Sequence, residues 1–251
     1  MGIEDYINAQ RANVESIKNL PHFSVLGKLV DQLYNLAIVL IPKDTPLHYS
    51  KFLLLCHKSF LSALTLIGQA QPEDAAAISR RAIEIARVAI AVKTHPKNAE
   101  TWLSFEKRME RWEARDKEEK PRHLSTPLDL PLDHPILKDL EKQLGILSDS
   151  YIHFTPEFLG SLNWKYKENR IELGYFISDQ RIIERDLIAL TGIHASILRI
   201  LDECLGGCLL SNTEWLALWR TLEKEGGKLA EPFDPSKKKN RSPDNGCQGN
   251  R

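Results

Sequence analysis

The sequence predicts a mainly α-helical bundle of about seven or eight helices, with a small β-hairpin insert near residues 163–177. Three observations carry this. Apolar residues recur at three- and four-residue steps through most of the first 230 positions. Pro21, Pro42, Pro46, Pro72 and Pro96 separate those runs. One short stretch, Trp164 to Tyr175, alternates apolar and polar residues with the two-residue period of a strand. Residues 1–230 therefore read as one helical-bundle domain. Residues 231–251, with Pro235, Pro243 and Lys237-Lys238-Lys239, read as a disordered polar tail.

The elements follow in order. Residues 3–18 form a polar helix whose few apolar groups, among them Tyr6, Val14 and Ile17, suit the surface or a partner. His22 to Ile41 is a helix with Leu26, Leu29, Leu33 and Leu36 in register, and Tyr49 to Gln69 is a nearly all-apolar one carrying Phe52, Cys56, Phe60 and Ile67. His57 within it reads as a packed, hydrogen-bonded histidine. Glu73 to Lys93 is the centre of the chain. Pro72 stands where a missing amide costs little, and Glu73 and Asp74 suit the positive end of the helix dipole. Two apolar rows, Ala75-Ile78-Ala82-Ile85-Ala89 and Ile83-Ala86-Ile90, leave one charged stripe of Arg80, Arg81, Glu84 and Arg87.

Lys97 to Lys120 reads as a charged helix with a Trp102-Phe105-Met109-Trp112 stripe on its buried face. A proline-rich connection spans 121–135. A helix from His134 ends at Ser150, before Pro156. The hairpin turns at Glu168-Asn169. Ser178 and Asp179 cap a long helix to Leu205, closed by Gly206-Gly207, and Ser211 to Glu214 opens the last one.

Lysine plus arginine and aspartate plus glutamate number 34 each, so no net field draws the chain to nucleic acid or a membrane. The start MGIEDYINAQ lacks a basic, then apolar, leader, and the longest apolar run near Leu36 to Ile41 is too short to span a bilayer. The expectation is a cytoplasmic protein with no membrane contact. Cys56, Cys204, Cys208 and Cys247 show neither a disulfide framework nor metal spacing and read as reduced thiols. His194 and Asp202 are too isolated to suggest a metal site. No phosphate loop, nucleophile elbow, zinc-protease helix or dinucleotide fingerprint is present, so the expected cofactors and metals are none.

The candidate site pairs two segments. Arg81 and Glu84 with His153 are the candidate catalytic groups, and Arg80, Tyr151 and Ser148 the candidate substrate-binding ones. Histidine exchanges protons near neutral pH, and an arginine pair can hold a phosphate and the charge that develops on it. Metal-free RNA cleavage needs such a base and such a cation. The opposing reading is a structural Arg–Glu network, because charges on a mostly buried helix are costly unless paired. On these residues alone both an enzyme and a non-catalytic scaffold stay open, with the structural reading ahead.

The order of an Arg-Arg-x-x-Glu helix (Arg80, Arg81, Glu84), a charged helix with tryptophan, and a helix ending in Ser148-x-x-Tyr151-x-His153 resembles uncharacterised bacterial helical proteins. More distantly it resembles the HEPN superfamily, helical bundles that include ribonucleases of toxin–antitoxin and phage-defence systems. The resemblance covers about Tyr49 to Leu205. It implies binding of RNA or a nucleotide phosphate, extending to metal-independent RNA cleavage, and a homodimer or protein partner. The superfamily's ribonuclease motif has an arginine a few residues before its histidine; here Leu147 to Ile152 contains none, so Arg80 or Arg81 would supply the cation.

Overall fold

The computed structural model describes residues 2–104, 107, 109–110, 113, 128, 131, 133–147, 164–167, 170–173, 176–177 and 179–233. Within them the chain is mainly helical. Helix α1 (Ile3–Ile17) lies on the surface, its Asn13 amide donating to the Gln69 carbonyl at 3.2 Å and Gln10 to Gln71 at 3.0 Å. A wide π turn, His22–Gly27, runs directly into α2 (Lys28–Val39). The single helix expected there therefore starts with a loosened turn. Gly27 closes it where a Cβ would come within 3.1 Å of Leu64, so the absence of a side chain allows the two helices to approach.

Helix α3 (Leu47–Gly68) packs chiefly on α4 (Pro72–Thr94), and both pack on α7 (Gln180–Cys204). The α3–α4 connection is a Schellman closure. Ala70 takes a left-handed conformation (φ 62°), and its N–H and that of Gln71 donate to the Ile67 and Leu66 carbonyls at 2.9 Å each. Phe52, Leu53, Phe60, Ala82, Ile83, Ala86, Ile197 and Leu198 form the centre of the core. Among the described helices α3 alone is long and apolar enough to cross a membrane by composition, with mean hydropathy 1.3. In the fold one side of it is sealed inside the bundle, and the other carries Leu47, Leu54 and Leu61 exposed. The all-apolar character of α3 therefore overstates its burial.

Helix α5 (Lys97–Leu103) ends at Ser104, which is extended (φ −98°, ψ 124°). The uninterrupted helix expected to Lys120 is therefore broken after two turns. Trp102 packs edge-on to Phe52 at 4.8 Å between ring centres, while Met109 is exposed; Phe105 and Trp112 lie outside the described residues. Helix α6 (Pro135–Leu147) leans on α4 and α7. Strands β1 (Trp164–Lys167) and β2 (Arg170–Leu173) pair antiparallel, with Trp164 opposite Leu173 and Lys167 opposite Arg170.

Asp179 caps α7 by accepting from the Arg181 amide at 2.9 Å, and Gly206 and Gly207, both left-handed, end it. The Asp202 side chain accepts the Leu209 N–H at 2.7 Å, a capping duty rather than a metal site. Helix α8 (Thr213–Ala230) starts on Asn212, which accepts from Trp215 N–H at 2.9 Å, and a short 3-10 turn, Glu231–Phe233, follows. Trp215 is fully buried against α2, its indole N–H donating to the Leu33 carbonyl at 3.1 Å.

Candidate functional site

The α4 stripe divides into three fates. Arg80 and Glu84 are both half-buried and pair along the helix, Nε to Oε1 3.3 Å. Arg81, one residue on, is turned about 100° further round and is exposed. Arg81 has no ion-pair partner among the described residues. Arg87 is 1% exposed and reaches across to α6, where its Nε lies 2.5 Å from Oε1 of Glu141. Burial pulls the Arg87 pKa down, and the Glu141 and Glu84 carboxylates push it back up.

Ser148, Tyr151 and His153 lie outside the described residues. Of the proposed constellation, Arg80, Arg81 and Glu84 can therefore be placed: Arg80 and Glu84 pair with each other, and Arg81 points to solvent away from them. Sequence reasoning put Arg87 in the same stripe but could not supply its partner, because Glu141 comes from another helix.

Next to this stripe a cleft of about 310 Å³ opens between α4, α6 and α7. Its walls are apolar, including Ala76, Leu147, Leu190 and Ile193, and Ser79, Gln143 and Asp186 are polar groups on it. The Ser79 hydroxyl is already committed, donating to the Ala75 carbonyl at 2.8 Å. Asp186 has a side chain only 14% exposed. Its Oδ1 accepts from Arg185 at 3.0 Å, and its buried Oδ2 has no hydrogen-bond partner. Burial raises the Asp186 carboxyl above its usual range, and Arg185 partly opposes this. Sequence reasoning missed Asp186; the signal that could have found it is its place in the Ile183-Leu187-Leu190-Ile193 face, a carboxylate among inward apolar residues.

A second polar group sits inside α2, α3 and α7. The Tyr34 hydroxyl shares a 2.8 Å hydrogen bond with His194 Nδ1, and the Tyr34 ring stacks on His57 at 5.1 Å. His57 in turn meets Asp31 at 2.7 Å, as the packed reading of that histidine expects. His194 is fully buried, and burial holds its pKa down at about 3, with His57 adding to the effect. At neutral pH it is an uncharged structural ring.

No protein-family model, curated protein or solved structure matches this chain. Function must be read from the side chains. Among the described residues no three His, Cys, Asp or Glu stand together to hold a metal ion. Cys56 and Cys204 are unpaired thiols whose pKa values burial raises, that of Cys204 to about 12, so neither offers a thiolate nucleophile near neutral pH. Of the α4 charges, Arg80 and Glu84 pair along the helix, and Arg87 pairs across to Glu141 on α6.

Proposed function

We propose that the chain is a non-catalytic helical interaction protein whose α4 charges are structural. The observation that supports this best is the Arg87–Glu141 pair, sealed between α4 and α6. A guanidinium 1% exposed against a carboxylate offers no face to a phosphate. With Arg80 held by Glu84, two of the three arginines in the stripe are engaged within the protein. The β1–β2 ladder is read as an insert of the same helical domain.

A second reading, a HEPN-like bundle binding RNA or a nucleotide phosphate, draws support from Arg81, exposed and without an ion-pair partner among the described residues. One experiment separates the two. The purified chain is titrated at low salt with a fluorescent single-stranded RNA and with ATP, and RNA integrity is followed by gel. The structural reading expects neither binding nor cleavage. Saturable binding lost in Arg81→Ala, or cleavage lost in His153→Ala with the fold unchanged by circular dichroism, would overturn it.

A further inference from the structure

The exposed residues of α3 form one line. Leu47, Lys51, Leu54, Lys58, Leu61 and Thr65 follow one another at alternating four- and three-residue steps. Leu47, Leu54 and Leu61 are 68%, 51% and 41% exposed, and they recur every seven residues. At 1.5 Å per residue they mark a track about 21 Å long. A seven-residue repeat drifts only about 20° per heptad, so a second helix can follow it with a slight left-handed wrap. Scattered surface leucines need no explanation, but three in heptad register along the exposed line of one helix do.

The charges on this line indicate what covers it. Lys51 and Lys58 alternate with the leucines, and neither has an ion-pair partner among the described residues. A second copy of α3 paired about a two-fold axis near Leu54 would set Lys51 of one chain beside Lys58 of the other, like charge against like. An α-helix with apolar residues in heptad register and carboxylates beside them satisfies both features. We propose that the α3 face is the docking site for an acidic amphipathic helix of a different protein. The inference rests on the interaction-protein reading and names its surface and partner class.

The test uses the full chain and two synthetic 21-residue helical peptides, each with leucine in heptad register. One carries glutamate at the flanking positions and the other lysine. Binding is read by fluorescence anisotropy at low and at physiological salt. The acidic peptide is expected to bind at least tenfold tighter than the basic one, and Leu54→Asp should abolish binding while circular dichroism stays unchanged. In the Lys51→Glu, Lys58→Glu double variant the preference should invert. Failure of both peptides to bind, or a preference indifferent to the charge swap, overturns the docking site. So does a dimer in sedimentation that Leu54→Asp dissociates, which would make a second copy the occupant. None of these outcomes restores RNA or nucleotide binding, so failure here is distinct from failure of the interaction-protein reading.

Discussion

Replacing Glu141 by leucine tests whether the α4–α6 ion pair is architecture. Arg87 is buried, so it depends on carboxylates close by, and Glu141 at 2.5 Å is the first of them. Removing one partner of a fully buried pair costs about 3–5 kcal/mol. Two facts reduce that here. The Glu141 side chain is 30% exposed, so water already screens the pair, and Glu84 supplies a second favourable charge to Arg87. About 2 kcal/mol remains, which for a chain of this size lowers the thermal midpoint by about 4–8 °C. Arg87→Met should cost less, because the carboxylate it leaves can turn to solvent. The double variant Arg87→Met, Glu141→Leu should recover part of the Glu141→Leu loss, since no charge is left buried without its mate. The assay is thermal and urea unfolding of the four proteins, closed as a double-mutant cycle. If Glu141→Leu melts within 1 °C of the parent, or the two losses add without coupling, the pair contributes nothing and the structural account of α4 fails.

Other outcomes follow from the buried titratable groups. His194 has its folded pKa depressed to about 3, below the usual value near 6.5 in the unfolded chain. Between those values the unfolded state binds the extra proton, so this contribution is complete above about pH 6.5 and is lost as pH falls toward 3, at up to about 1.4 kcal/mol per pH unit. Urea unfolding at pH 7, 6 and 5 should show that slope, and an imidazole resonance of His194 titrating near 6 in the native protein would contradict it. Asp186 is shifted the other way, its carboxyl raised by burial. Its ionisation therefore opposes folding above the usual carboxylate range, and Asp186→Asn should hold or raise the midpoint at pH 7. A drop of several degrees would show that the carboxylate holds something across the cleft.

How far the fold could be read from the residues depended on the kind of contact. Helix α4 was legible because Ala75, Ala82, Ala86 and Ala89 keep the helical period and Pro72 marks its start. The Asp179 cap on α7 and the Gly206-Gly207 stop after it were legible for the same local reason. Helix α3 misled because leucines stand on both its faces, and periodicity alone cannot tell a covered leucine from an uncovered one. Leu54 and Phe52 look alike in sequence, yet one faces solvent and the other Trp102. The break at Ser104 was missed because Trp102, Phe105, Met109 and Trp112 keep a helical spacing straight through it. The charged stripe was found, but its meaning lay in Glu141, 54 positions beyond Arg87 and reachable only through tertiary packing. Ser148, Tyr151 and His153 lie outside the described residues and leave their half of the candidate site as an expectation.

The hydrogen bond from Trp215 to the Leu33 carbonyl has a meaning for biosynthesis. The two residues are separated by 182 positions. At a synthesis rate of about 5–20 residues per second, α2 is synthesised roughly 10–35 s before the indole that completes it. Throughout that interval Leu26, Leu29 and Leu33 belong to a nascent chain whose last layer is missing. A premature stop anywhere before α8 would make that interval permanent, leaving a fragment with an open apolar seam for chaperones and proteases to recognise.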